Sequence, residues 1–209
     1  QFSNDYILES IDRFPERLVG FCSINPKDHI NSPKEIERCV MKGMRGIGEL
    51  HPDYQKFNIA DKKTMAPIME IALTHNLITT THSSEPVGHK YSGKGMTFPE
   101  KLWKFILNFP DNPIVCAHWG GGLPFYSLMP EVEKSLKNVY FDTAASPLLY
   151  SNKIFETGSS LVTSKHILLG SDWPLLNPQK LITELNNSNL KKSQKNEILF
   201  ENALSLISH

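Results

Sequence analysis

The chain has 209 residues, which suffice for one sizeable hydrophobic core, so we predict a single domain spanning residues 1–209. Its 22 basic and 22 acidic residues balance, and this excludes the strong global field with which proteins attract nucleic acid or anionic membrane surfaces. The three cysteines have no metal-ribbon or redox spacing and no apolar run could cross a bilayer, so we expect a cytoplasmic protein without nucleic-acid or membrane partners.

The first quarter of the sequence predicts two helices and two strands in alternation. Residues 1–14 have a helical pattern, and the apolar run 17–24 follows as a strand. A second apolar strand occupies 44–50, after a helix that ends at Gly43. The start of that helix is predicted from an N-cap, a first-turn proline and a capping-box acid, which are Ser32, Pro33 and Glu35.

Two further helix–strand pairs are predicted in the middle of the chain. The first helix has one apolar face, formed by Met65, Ile68, Met69, Ala72 and Leu73. An apolar strand at 77–82 follows it. Thr97 and Glu100 then resemble a capping box, and the helix that they begin ends at Pro110, before a strand at 113–118.

The last part of the chain continues the alternation. An apolar helical pattern covers 125–132, although Pro130 predicts that this helix kinks or restarts. Strands are predicted at 139–145 and 167–173, and a final helix at 193–207. Alternation of this kind predicts right-handed βαβ units around one parallel sheet. Periodicity alone does not separate a closed barrel from an open, doubly wound sheet.

Four of the predicted strands end in residues that bind metal ions, namely Glu49, His82, His118 and Asp172. In both architectures ligands bind beyond the carboxyl ends of the strands. Imidazole nitrogens and carboxylate oxygens are ligands of divalent cations. A single strand-end histidine is more often a structural residue, and an aspartate before a helix is often an N-cap. Four such ends in one chain with eight histidines favour a metal site.

The order of several motifs resembles the amidohydrolase-2 branch of the amidohydrolase superfamily. These motifs are Gly-Ile-Gly-Glu-Leu-His-Pro, Thr-His-Ser, Ala-His-Trp-Gly-Gly-Gly, Phe-Asp-Thr and Gly-Ser-Asp-Trp-Pro. The resemblance covers essentially the whole chain and implies an α/β fold, the (β/α)₈ TIM barrel of metal-dependent hydrolases. It identifies 77–82, 113–118 and 167–173 as the fifth, sixth and eighth strands. The first two strands and their His-x-His motif are missing, so we expect an N-terminally truncated fragment.

The resemblance also implies a function. It predicts a metal-dependent hydrolase, in which a metal-activated water attacks a C–O or C–N bond of a small organic substrate. His82, His118, Asp172 and Glu49 would bind the metal, which we expect to be Zn²⁺, with Mn²⁺ as the alternative. Asp172 and His118 would also be catalytic. A non-oxidative decarboxylase on the same scaffold and a catalytically inactive barrel remain as alternative hypotheses.

Three further residues are predicted to bind substrate, namely Trp119, Trp173 and His89. Each tryptophan follows a proposed ligand and either walls the pocket or packs under a helix. His89 lies in the glycine-rich segment 83–97, which is either a lid or an ordinary surface loop. Asp142 is predicted to be structural. Unpaired strands at the edges of an incomplete sheet would favour a homo-oligomer.

Overall fold

Six parallel strands form the sheet of the computed structural model, which describes residues 4–208. Each strand pairs with the next one along the chain, in the order β1 to β6. The strands are β1 (Phe21–Cys22), β2 (Gly46–Leu50), β3 (Ile78–Thr81), β4 (Ile114–Cys116), β5 (Val139–Asp142) and β6 (Ile167–Leu168). The predicted α/β class with one parallel sheet is therefore confirmed.

Helical segments precede the first strand and follow every strand. They are α1 (Asn4–Arg13), α2 (Asn31–Met41), α3 (Pro52–Gln55), α4 (Lys62–Thr74), α5 (Pro99–Asn108), α6 (Ala117–Gly120), α7 (Pro130–Ser135), α8 (Ser146–Leu149), α9 (Ile154–Val162), α10 (Pro178–Asn187), α11 (Lys192–Asn196) and α12 (Asn202–Ile207). Two 3₁₀ turns cover Leu123–Tyr126 and Ser164–His166. A π-helical turn (Glu197–Glu201) joins α11 to α12, so the predicted last helix is one continuous helical run. No helix within 4–208 is long and apolar enough to span a membrane.

The sequence patterns predict where the helices and strands lie better than they predict where each one begins and ends. The helix predicted at 1–14 is present as α1, and its first three residues lie outside the described part. The predicted restart at Pro130 is confirmed, because α7 begins there. Each strand is shorter than its apolar run, since the last residues of most runs leave the sheet to form the loops at its carboxyl edge.

Two predicted helix caps are wrong. The hydroxyl of Ser32 donates to the carbonyl of Asn25 instead of capping α2. Likewise the hydroxyl of Thr97 donates to Asp53, and α5 begins two residues later at Pro99. In both cases a tertiary partner competes for the side chain that a local pattern assigns to the helix start.

The hydrophobic core lies between the sheet and the helices. The apolar face of α4 packs into it as predicted, except that Leu73 is 44% exposed. The face of α5 is buried as well. The largest fully buried side chains include Trp119, Phe105, Phe141, Phe155, Ile36 and Met44. This packed layer holds the strand ends in fixed positions.

A polar cluster ties α1 to α2 and gives a testable pH dependence. Glu35 Oε1 accepts hydrogen bonds from Asn4 Nδ2 and Arg38 Nη2, both at 2.7 Å. The hydrogen bond from Arg38 is the main reason why the pKa of Glu35 falls to about 2. Since this folded-state pKa is depressed, ionised Glu35 stabilises the fold above about pH 4.5, and the contribution disappears as the pH falls towards 2.

We therefore expect Glu35→Gln to lower the free energy of unfolding at pH 6 more than at pH 2. Urea unfolding at several pH values would measure the difference between the variant and the wild type. Glu37→Gln, an exposed position on the same helix, is the control and should show no such trend. An equal loss at pH 2 and pH 6 would contradict the assigned role of the carboxylate.

Candidate active site

Three of the predicted ligands converge at the carboxyl edge of the sheet. Glu49 lies in β2, His82 directly follows β3, and His118 lies in the turn after β4. Neighbouring parallel strands bring these positions side by side, since Leu50 pairs with Thr81 and Thr81 with Cys116. One ligand atom from each of the three residues lies within 4.8 Å of the other two. This group could hold a metal ion.

A bulge in β2 aims Glu49 at the site. Between Ile47 and Leu50 the pairing with β3 is irregular, because three steps along β2 match two along β3. Gly48 has a φ of 134°, and a Cβ there would lie 2.5 Å from the carbonyl oxygen of Thr80. Only glycine fits this close approach. Bulges of this kind re-aim the following side chain, here the carboxylate of Glu49.

His82 and Glu49 form a hydrogen-bonded pair. His82 Nδ1 lies 3.1 Å from Glu49 Oε1, so Nδ1–H donates to the carboxylate and Nε2 carries the lone pair. Ser84 Oγ lies 3.3 Å from that Nε2. Desolvation opposes ionisation of Glu49, but the hydrogen bond from His82 and the imidazole of His118 outweigh it and lower the Glu49 pKa. The pair therefore favours a negative carboxylate beside an oriented imidazole.

His118 is held by the buried carboxylate of Asp142. The φ of His118 is 55°, and its backbone N–H donates to Asp142 Oδ1 at 2.9 Å. The backbone N–H of Ala144 donates to the same oxygen, also at 2.9 Å. His118 Nδ1–H in turn donates to the carbonyl of Ala144 at 3.2 Å. The free Nε2 lies 3.9 Å from Glu49 Oε1, so it can bind a cation or exchange a proton.

Asp142 is half-buried beside the turn that carries His118. Burial raises its pKa, although the nearby His118 and its backbone hydrogen bonds oppose that shift. The carboxylate accepts from two backbone groups and so fixes the turn that carries His118. This geometry agrees with the structural role predicted for Asp142.

His51 joins the site although the sequence analysis did not select it. Its ring stacks on that of His82, with centroids 4.0 Å apart and an interplanar angle of 9°. Desolvation and the neighbouring His82 lower the His51 pKa, against the opposing effect of Glu49. The sequence feature that could have identified His51 is its place in the Glu-Leu-His-Pro motif at the end of a strand.

The site is the floor of a cavity of about 530 Å³, and this floor consists of Glu49, His51, His82 and His118. His89 and Tyr91 approach it from the loop after β3, and Asp172 from the segment after β6. One wall is apolar and consists of Ala145, Leu148, Leu149 and Leu175. A cavity of this size suits a small molecule.

Asp172 lines this cavity but is not a member of the three-residue cluster. Its side chain is exposed, and its φ is 62°. Within the described part of the chain, no residue hydrogen-bonds to its carboxylate. Its role as a ligand or catalytic residue therefore stays a prediction.

The two tryptophans predicted to bind substrate do not line the cavity. Trp119 is fully buried in the core, where its indole N–H donates to Ser146 Oγ at 2.6 Å and its ring packs edge-on against Phe155. The positive φ at Trp119 turns the chain so that the side chain points away from the strand end. Trp173 is 69% exposed on the surface.

The loop after β3 is closed at its base. The backbone N–H of Ser84 donates to the carbonyl of Thr97 at 3.0 Å, and that of Gly95 donates to Ser84 Oγ at 2.9 Å. Asp53, in α3, accepts from Thr97 Oγ1 and the backbone N–H of Met96, both at 2.8 Å. A side chain at position 95 would displace Asp53 from these hydrogen bonds.

Side chains inside the same loop fix its shape over the cavity. Glu85 accepts hydrogen bonds from the hydroxyls of Tyr91 at 2.8 Å and Tyr150 at 3.4 Å. Burial and the Glu85 hydrogen bond raise the pKa of Tyr91. Lys94 Nζ donates to the carbonyls of Val87 and His89. The loop therefore presents His89 and Tyr91 to the cavity from an ordered frame.

Two kinds of comparison with known proteins find matches, one with family models and one with solved structures. The model described as Amidohydrolase (Amidohydro_2) matches residues 1–207. No curated protein matches the chain significantly.

Three solved structures illustrate the likeness. A Staphylococcus aureus protein assigned to the amidohydrolases is 22% identical, with a TM-score of 0.80 over 99% of this chain and 78% of its own. An uncharacterised TIM-barrel protein from Bordetella bronchiseptica is 15% identical, with a TM-score of 0.80 over 100% of this chain and 74% of its own. A dihydroxybenzoic acid decarboxylase from Polaromonas was crystallised with manganese and an inhibitor. It is 18% identical, with a TM-score of 0.78 over 98% of this chain and 73% of its own. At such identities the likeness concerns the fold, and the predicted TIM-barrel fold is confirmed.

Proposed function

The chain belongs to the amidohydrolase family, and on that premise we propose that it is a metal-dependent hydrolase of small organic molecules. The observation that carries the proposal is the convergence of Glu49, His82 and His118 on the floor of a cavity. Two imidazoles and a carboxylate suit a borderline divalent cation such as Zn²⁺ or Mn²⁺.

The hydrogen bonds of the two imidazoles fit such an ion. His82 donates its Nδ1–H to Glu49, and His118 donates its Nδ1–H to a backbone carbonyl, so each Nε2 carries the lone pair. The Ser84 hydroxyl lies 3.3 Å from the His82 Nε2 and would have to turn away for an ion to bind there. Metal-ligating histidines have this arrangement, in which the second nitrogen is held by a carboxylate or a carbonyl. His82, His118 and Glu49 would hold the ion, with Asp172 as a further ligand from across the cavity.

Residues of this chain would carry the proton transfers. When bound, a divalent cation polarises a substrate oxygen and makes water easier to deprotonate at neutral pH. We assign Asp172 as the base that accepts a proton from the attacking water and returns it to the leaving group. If His118 does not hold the ion, its Nε2 would instead exchange a proton with the substrate during the reaction. The apolar wall would hold the rest of the substrate and limit the access of bulk water.

A second candidate function is non-oxidative decarboxylation. It is favoured by the likeness to the Polaromonas decarboxylase that was crystallised with manganese. In this reaction the C–C bond to the carboxylate breaks, CO₂ leaves, and His118 or Asp172 delivers a proton to the carbon. The same side chains serve both reactions, so the two functions have to be distinguished by analysis of the reaction products.

The test combines metal analysis with product analysis. We expect the purified protein to contain Zn²⁺ or Mn²⁺, and its activity on a panel of esters, lactones, amides and hydroxybenzoates to fall at least about 100-fold after chelation. Re-addition of the ion should restore the activity. Incorporation of ¹⁸O from labelled water into the organic product supports the hydrolase, whereas CO₂ release with no ¹⁸O in the organic product supports the decarboxylase. A protein without metal and without recovery would be an inactive barrel.

A further inference from the structure

We propose that His51 is a substrate-binding residue, which donates a hydrogen bond from its Nε2–H to an oxygen atom of the substrate. The inference rests on the proposed function, because it assigns a contact in the same cavity. His51 lies two residues after Glu49, beyond the bulge of β2, and its ring lines the cavity floor.

The start of helix α3 fixes the position of the proton on His51. The residue is the N-cap of α3, and its Nδ1 accepts a hydrogen bond from the backbone N–H of Tyr54 at 3.3 Å. The backbone N–H of His51 donates to Gln55 Oε1 at 2.8 Å, which closes the same turn. An Nδ1 that accepts has no proton, so the hydrogen of the neutral ring is on Nε2.

Stacking on His82 fixes the orientation of the His51 ring. With the rings 4.0 Å apart and nearly parallel, rotation of either one would collide with the other. No residue between 4 and 208 accepts a hydrogen bond from His51 Nε2. A donor that is oriented by two contacts, faces a cavity and has no protein acceptor is suited to a ligand.

The three imidazoles of the floor therefore offer different atoms. His118 presents an Nε2 lone pair, which can bind a cation, and the Nε2 lone pair of His82 accepts from the Ser84 hydroxyl until an ion displaces it. His51 presents an N–H, which cannot bind a cation, and it is absent from the group whose ligand atoms converge. The carboxylates of Glu49 and Asp172 are acceptors as well. His51 thus supplies the donor that a substrate oxygen needs at a floor rich in acceptors.

Two substitutions separate donation from support of the helix. Serine and asparagine both replace the N-cap acceptor of His51 well. His51→Asn keeps an amide N–H donor separate from the acceptor that caps α3, whereas in His51→Ser the one oxygen that caps the helix also carries the only donor, on a shorter side chain. His75→Ser, at an exposed position after α4, is the matched control.

The measurements are kcat and KM on the substrate found in the panel, bound metal per chain, and the tautomer of His51 by ¹⁵N NMR. We expect His51→Ser to lower kcat/KM about tenfold, which is the scale of one neutral hydrogen bond. His51→Asn should recover to within about threefold of the wild type, with the metal content unchanged in both variants, and the NMR should show Nε2–H.

Each opposite result overturns the inference. One such result is a kcat/KM of His51→Ser within twofold of the wild type, and another is a kcat/KM of His51→Asn no higher than that of His51→Ser. The others are a loss of bound metal in parallel with the activity, or a proton on Nδ1 of His51. Failure of the proposed function is a separate result, because it shows as a wild-type protein without metal-dependent turnover, and the tautomer is still measured in that protein.

Discussion

His82→Gln is expected to lower the affinity of the protein for Zn²⁺ or Mn²⁺ at least about 100-fold. Loss of a group that only orients a metal-binding histidine typically costs roughly 10- to 100-fold in affinity, and loss of the histidine itself should cost at least as much. His82 stands at the centre of the site, since it contacts Glu49, His51 and His118. Titration of the metal-free protein with either ion, followed by elemental analysis after dialysis, measures the effect.

Two comparisons make this prediction specific. His75→Gln changes an exposed histidine at the opposite edge of the sheet and should leave metal affinity unchanged. Glu49→Gln should weaken binding roughly 10- to 100-fold if Glu49 only orients His82, and at least as much as His82→Gln if it binds the ion. Retention of the ion by His82→Gln with wild-type affinity would remove His82 from the site.

The sequence predicts the location of the site because parallel strands impose it. Once β2, β3 and β4 are identified as neighbouring parallel strands, their carboxyl ends have to share one edge, and Glu49, His82 and His118 stand at those ends. The hydrophobic runs locate the strands, and the resemblance to the amidohydrolase-2 branch supplies their order in the sheet. Topology brings these strand ends together, whereas the bulge at Gly48 and the turn held by Asp142 aim Glu49 and His118 at the site.

Other features depend on contacts that no local pattern contains. His51 becomes part of the floor through its stacking on His82, which lies 31 positions away in the chain. Trp119 directly follows the proposed ligand His118 in the sequence, which suggested a place in the cavity. The positive φ values of His118 and Trp119 direct its indole into the core instead. Ser32 and Thr97 have the sequence signature of helix caps, yet the Ser32 hydroxyl donates to Asn25 in the preceding loop and the Thr97 hydroxyl donates to Asp53, 44 positions away. For both hydroxyls, a partner outside the helix competes with the cap that the local pattern predicts.

The second large effect is expected for Asp172→Asn, which should lower kcat about 1,000-fold or more. The asparagine has the same shape but cannot accept a proton from water at neutral pH, and a positioned general base contributes typically 10²- to 10⁴-fold. The fold should tolerate the change, because the side chain is exposed and asparagine accepts the positive φ of this position. The turnover number and the melting temperature of the variant give the two readouts.

Asp111→Asn is the matched control, since Asp111 is exposed just before β4, at the amino edge of the sheet and away from the cavity. It should retain wild-type turnover. The metal content of Asp172→Asn then separates two roles, because a ligand loses the ion together with the activity, whereas a base keeps the ion and loses only the activity. A kcat within tenfold of the wild type would exclude Asp172 from the reaction.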